Sequence, residues 1–395
     1  MKQFALTLIL PIAGNENALW LDKELTAIGQ QLAKAPKIDF SKSNLTHFAR
    51  FVILPAADPD SKAKRLLFTS NLDGDLNSYA KELIDKGIAP GLDEVFSKCE
   101  GYEPGTLLAE ANAAAFLNSN NIDSTAFYIA LRGATLDIIK ESADLRIKMD
   151  RELDKRIVSA DDQANIDRLF KECEALRKAS SCLDDPPPTK KSFWAPFLDV
   201  LNDVWEWLVG IRYDGNNPQI TVKTHNGLYD IEDLVTQNQL TVVVPVKKNF
   251  FSRFLLRLIL WIISIQVKSV KGTLLDLATI HFARWVIIDN GDNILFESNF
   301  DGSWENYIDD FVDHASAGMN LIWGNCIGFP RGGAKDIEAF KAYIRENQSR
   351  SQVYYSAYKD LTVRNILTDL SLSKKIPELS RPDGVADFAM GYYGS

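Results

Sequence analysis

Two short segments each place an arginine three residues after a histidine. THFARFVIL at 46–54 carries His47 and Arg50, and IHFARWVII at 280–288 carries His281 and Arg284. A histidine in such a place can ligate haem iron or act as a general base, and the arginine can balance an anionic group. On a strand, residues three apart point to opposite faces. One of each pair is therefore expected to line the space between sheets and the other to pack under a helix, unless a bulge intervenes. The competing reading is a hydrogen-bonded core histidine beside an arginine that fixes a helix end or a carboxylate.

A second pair of motifs follows: Asn71-Leu72-Asp73-Gly74 and Asn299-Phe300-Asp301-Gly302. Asp301 or Asp73 could shuttle a proton beside the histidine. A plainer role is capping, in which the carboxylate accepts bonds from the free amides of the helix that opens next and the glycine relieves the turn. Asp310 and His314 are four apart and share a helical face, but no third metal ligand has suitable spacing, so no metal site is expected. His225 precedes Asn-Gly and reads as a turn residue. Arg331-Gly332-Gly333 reads as a loop that could meet an anion at a helix start. No P-loop, GxGxxG, GxSxG or HExxH motif occurs.

The elements that must position these residues also come in two copies. LTLILPI (6–12) returns as LTVVVPV (240–246), LLFTSNLDGDLNSY (66–79) as ILFESNFDGSWENY (294–307), and FYIALRGATLDII (127–139) as YYSAYKDLTVRNI (354–366). A long internal repeat of constant order points to a pseudo-two-fold architecture with a shared interface. In the first copy a strand at 5–12, a helix at 16–34 (Leu19, Leu21, Leu25, Ile28, Leu32), strands at 45–54 and 65–71, a helix to about 97 and a short strand at 98–103 give the order β-α-β-β-α-β, the ferredoxin-like arrangement. The second copy reads as strand 239–247, helix 249–268, strands 279–288 and 293–299, helix 302–317 and strand 321–328. Each copy adds a helix, a strand (125–131 or 351–358) and a last helix from Thr135 or Thr362.

This order of elements resembles the dimeric α/β-barrel superfamily in its tandem, single-chain form. The HFARW…LFESNFDGSWENY…GFP…QVYYSAY run also resembles a group of largely uncharacterised bacterial proteins. The resemblance covers about 270 residues. It implies an α+β fold of two ferredoxin-like βαββαβ repeats packed as an intramolecular pseudo-dimer, with an inserted helical segment. It further implies an oxidoreductase of haem-peroxidase or monooxygenase type, within a superfamily that also has non-catalytic members. The DG motif is similar to that of dye-decolorising peroxidases, but Ser70 and Ser298 stand where that motif has its earlier glycine. Under this resemblance His281, Arg284 and Asp301 would be catalytic, and His47, Arg50, Asn299 and Asp73 would bind a cofactor, conceivably haem.

Division of the chain follows: 1–145 as the first repeat, 146–234 as a helical insertion, and 235–395 as the second repeat with its tail. The insertion has no counterpart and holds the Trp-rich apolar run at 193–211. Helix 249–268 is far greasier than its counterpart 16–34, and the favoured expectation is that it packs on the sheet and is covered on its other side by 193–211, with Trp194, Trp205 and Trp207, or by a second copy. The uncharged run after Arg257 is too short to span a bilayer. The helix could lie in a membrane interface with Arg253 and Arg257 at headgroup level and Trp261 among the apolar contacts.

At 395 residues and a net charge of −9, the chain has the composition of a globular protein and lacks the basic balance of a general nucleic-acid binder. Cys99, Cys173, Cys182 and Cys326 form no CxxC pair, which favours a reducing compartment. MKQFALTLILPI reads as a strand and not a signal sequence, and a cytoplasmic location, with possible peripheral membrane contact, follows. The leading expectation is an apolar small molecule bound between the repeats, with the oxidoreductase activity that the resemblance implies. The alternative is a non-enzymatic peripheral-membrane or scaffold protein using 193–211 and 249–268, with a homo-oligomer as a further possibility.

Overall fold

The computed structural model describes residues 2–34, 36–57, 63–153, 235–269 and 278–375, with a few positions between 168 and 178. The insertion's apolar run at 193–211 and His225 lie outside the described residues.

Among the described residues there are eight strands and nine α-helices, in a mixed α+β fold with two four-stranded antiparallel sheets. The first half contributes β1 (Gln3–Pro11), α1 (Gly14–Gln30), β2 (Thr46–Leu54), β3 (Arg65–Asp73), α2 (Leu76–Asp85), α3 (Ala89–Phe96), α4 (Glu110–Asn120), β4 (Ala126–Ile129) and α5 (Leu136–Leu153). The second contributes β5 (Gln237–Pro245), α6 (Phe250–Ser269), β6 (Ile280–Ile288), β7 (Asn293–Asp301), α7 (Trp304–Trp323), α8 (Ile337–Asn347), β8 (Ser351–Ser356) and α9 (Val363–Lys375).

The sheets exchange their outer strands. Sheet one runs β1-β3-β2-β8 and sheet two runs β4-β6-β7-β5. β8, from the C-terminal half, pairs with β2 through Phe48 opposite Ser356 and Phe51 opposite Val353. β4, from the N-terminal half, pairs with β6 through Ala126 opposite Trp285 and Ile129 opposite Phe282. The strands expected at 98–103 and 321–328 do not form. Each is reduced to a single bridge, Cys99 to Ile12 and Cys326 to Val246. In the second half α7 runs on through residues expected to be strand, ending at Trp323 with a distortion at Ala315. In the first half the expected single helix breaks into α2 and α3, because Gly87 adopts a left-handed φ of 69° between them. The helix expected over 16–34 ends at Gln30, and Leu19 lies on its exposed side while Ala18, Leu21, Leu25 and Ile28 are buried.

β2, β3, β6 and β7 are buried on both faces, which explains their near-continuous apolar runs. One face of each sheet meets its own helices. Phe51 and Phe68 of sheet one stack at 4.6 Å above Leu92 and Phe96. Trp285 and Phe296 of sheet two pack with Phe311 and Trp323. The other faces meet each other: Val52, Leu54 and Leu67 pack with Val286, Ile288 and Leu295. Phe48, Phe282, Ile129 and Tyr358 continue this contact toward α5 and α9. Gly29 allows α1 to lie against the exchanged β8, since a Cβ there would fall 2.2 Å from the Gln352 carbonyl oxygen.

α5 crosses the boundary expected at residue 145 and packs against α9. Between them Asp369 is buried, with Arg146 Nε 2.7 Å from its carboxylate. Burial dominates over Arg146 and pushes the Asp369 carboxyl up to about 6. The folded state thus holds a proton that the unfolded chain, near the ordinary value of 3.8, releases. Stability from this group is present below about pH 4 and falls as pH rises through about 6. Asp369→Asn should flatten that stretch of the stability–pH curve, as measured by urea unfolding at a series of pH values.

Candidate functional site

All the residues singled out on β2 and β6 come together in the seam between the sheets. A register shift lies between Thr46 and Phe48 on β2, and another between Ile280 and Phe282 on β6. Each irregularity falls on the histidine. It re-aims His47 and His281 so that each shares the seam face with its arginine, in place of the expected split to opposite faces.

The arginines cross the seam reciprocally. Arg50 Nη1 donates to the Leu240 carbonyl at 2.9 Å and to Thr241 Oγ1 at 2.9 Å, and Nη2 donates to the Ser298 carbonyl at 3.1 Å and to Asn299 Oδ1. Arg284 Nη1 donates to the Leu6 carbonyl at 2.6 Å and to Thr7 Oγ1 at 3.1 Å, and Nη2 donates to the Ser70 carbonyl at 3.2 Å and to Asn71 Oδ1. These partners occupy matching positions of the two copies. A planar guanidinium with five fixed donors suits such a four-point grip, which an ammonium could not reproduce.

Glu297 breaks the symmetry. It stands where the first copy has Thr69, is 3% exposed, and lies 3.7 Å from Arg50 Nη1 and 3.6 Å from Arg284 Nε. Thr69 Oγ1 and Thr241 Oγ1 both donate toward its Oε1, at 3.2 and 3.3 Å. One carboxylate thus neutralises part of the charge of two buried guanidiniums. Burial pushes Arg284 down to about 10 even so, with Glu297 opposing the fall and Arg50 adding to it.

The histidines lie toward α5 and α9. His47 Nε2 is 3.1 Å from Asp73 Oδ2 and its Nδ1 is 3.0 Å from Tyr358 Oη. Burial, with Asp73 next, holds the Tyr358 phenol well above its ordinary range. The phenol therefore keeps its proton, and which group donates in this contact follows the imidazole tautomer. His281 Nε2 is 2.8 Å from Asp301 Oδ1 and 3.3 Å from Gln237 Nε2.

Asp73 and Asp301 do cap helices, but not those that open next in the chain. Asp73 Oδ2 accepts from Leu136 N at the start of α5, and Asp301 Oδ2 accepts from Val363 N at the start of α9. The helices that follow them are capped by Asp75, through Ser78 N, and by Ser303, through Asn306 N. Gln3 and Gln237, absent from the sequence reading, tie down the same two junctions. Gln3 donates to the Ala134 carbonyl, and Gln237 donates to the Tyr358 and Leu361 carbonyls. Their matching places in the two copies were a readable signal, as was the Thr69-to-Glu297 departure from the repeat. Tyr358, where the first copy has Leu131, is the other such departure.

His47 does not fit a haem ligand: a histidine that binds iron must present a nitrogen to it, and both nitrogens of His47 face protein groups. The Nε2 of His281 faces Asp301. Among the described residues no group of three His, Cys, Asp or Glu side chains could hold a metal ion. Asp310 and His314 lie on α7, away from the seam residues. Burial raises the Asp310 carboxyl, with His314 opposing the shift. Arg331-Gly332-Gly333 leads into a short turn in which Ala334 N donates to Asn320 Oδ1, a loop as expected. Cys99 and Cys326 are buried, and burial pushes both thiols up to about 12, which makes them poor nucleophiles.

Among the described residues, the most exposed apolar surface lies on α6. Phe250, Phe254, Leu258, Trp261 and Ile265 are between 39% and 84% exposed. Spaced four, four, three and four apart, they form one stripe along the helix. The opposite side, with Leu256, Ile259 and Leu260, is buried on sheet two. Phe250–Val267 is long and apolar enough by composition to cross a membrane. The chain matches no known protein family, no curated protein and no solved structure.

Proposed function

We propose that the protein is a docking protein, in which the seam is a structural clasp and the outer face of α6 is the working surface. In this reading the two halves are ferredoxin-like repeats held as an intramolecular pseudo-dimer. The reciprocal grips of Arg50 and Arg284 and the exchange of β4 and β8 support that arrangement.

The observation that carries the reading is the apolar stripe of α6. A helix apolar on both sides is normally covered on both sides, because exposed contiguous apolar surface favours association. Phe254 at 53% and Trp261 at 58% exposure are large side chains left facing outward. By contrast the seam's Arg side chains grip the opposite half, and its Asp side chains pair with histidines and cap helix starts, so structural roles account for their types.

The test is a variant carrying Phe250→Ser, Phe254→Ser and Trp261→Ser. Exposed positions tolerate such changes, so its melting temperature should stay within about 3 °C of the parent. Binding of an environment-sensitive apolar dye to the native protein should fall severalfold. Unchanged dye binding at unchanged stability would refute the assignment of α6 as the working surface.

A further inference from the structure

We infer that the partner of the α6 stripe is an anionic lipid surface, with the helix lying in the plane of the interface; this rests on the docking reading above. The stripe runs from Phe250 to Ile265, about 22 Å at 1.5 Å per residue. One straight line of side chains on a helix makes a flat strip, a shape that matches a planar partner.

Charge selects among the planar partners. From residue 241 to 275 the chain has no Asp or Glu and has six Lys or Arg, in a protein whose net charge is −9. Basic residues near an anionic bilayer surface each add to attraction, while the rest of this acidic chain would be held off. Lys248 and Arg257 are exposed, at the start of the stripe and beside Leu258. Arg253 is partly engaged by Asp292, the acidic group that faces it from the β6–β7 turn. Arginines in the first two turns keep that end of the helix at headgroup level, and so favour an in-plane helix over a spanning one.

The same charge argues against a second copy as occupant. A two-fold pairing through α6 would set the basic segment against itself. It would also bring two acidic chains together.

The experiment is flotation of the full-length protein with phosphatidylcholine vesicles, with and without roughly a third phosphatidylserine. The expected result is capture by the anionic vesicles, about tenfold weaker on the neutral ones, and weakened again at about 0.5 M salt. Phe254→Ser with Trp261→Ser should abolish capture at unchanged melting temperature. Failure of the parent to float on anionic vesicles, or equal flotation of the stripe variant, would overturn the lipid assignment. Light scattering on the same samples separates the two levels. A dimer that dissociates in the stripe variant, without flotation, replaces lipid by a second copy and leaves the docking reading standing. Dependence on the stripe in neither measurement removes both.

Discussion

Arg284→Ala should destabilise the protein by about 3–5 kcal/mol, the range for removing one partner from a buried charged network. The loss would not stop at the four bonds that Arg284 makes. The Leu6 and Ser70 carbonyls and Asn71 would be left without their cross-seam donor, and Glu297 would keep only Arg50 as a charge partner. Arg284→Lys should recover little of this, since one ammonium cannot reach carbonyls on both β1 and β3. Arg50→Ala should behave similarly because its grip on β5 and β7 is the mirror of the first. The double variant should cost more than the sum of the two single changes, since only it leaves buried Glu297 with no cationic partner, and Glu297→Gln should partly rescue it. Urea unfolding of the five variants beside the parent measures all of these. A loss below about 1 kcal/mol for Arg284→Ala would mean that the seam is not the clasp described.

Asp301→Ala should cost about 2–4 kcal/mol and should act at a distance from its own sheet. Asp301 ends β7 in sheet two, yet its Oδ2 accepts from the first amide of α9, Val363 N, and α9 follows β8, which belongs to sheet one. Loss of the carboxylate therefore frees a helix start and leaves His281 without its acidic neighbour. Hydrogen exchange should rise first in 351–375. Asp73→Ala should produce the matching rise in 126–153, where α5 begins on Asp73. If exchange rises instead around α7, the helix that follows Asp301 in the chain, the cross-connection is not what the carboxylate sustains.

The sequence exposed the strands well where both faces are buried. THFARFVIL and IHFARWVII are apolar at nearly every position because helices cover one side and the opposing sheet covers the other. The repeat also made the seam residues conspicuous, as matched pairs. Four things were not legible. The exchange of β4 and β8 was hidden, because AFYI and SQVYYS carry no mark of which strand they will pair with. Residues 98–103 and 321–328 looked like the missing fourth strands, but only Cys99 and Cys326 reach the neighbouring strand. The irregularities at His47 and His281 have no side-chain signature. A strict two-residue period therefore split each histidine from its arginine, and the bulge named as the exception is what brings the two to one face. The destination of Asp73 and Asp301 failed for a related reason: capping was the right chemistry, but the amides they meet lie some sixty residues downstream.

The exchanged C-terminal strand sets a timetable for the newborn chain. The outer edge of β2 waits for β8, about three hundred residues later in the order of synthesis. At ~5–20 residues per second this is roughly 15–60 s during which an apolar strand edge has no mate. An emerging chain of this design needs that edge shielded, by the ribosome's surroundings or by a chaperone, until β8 arrives.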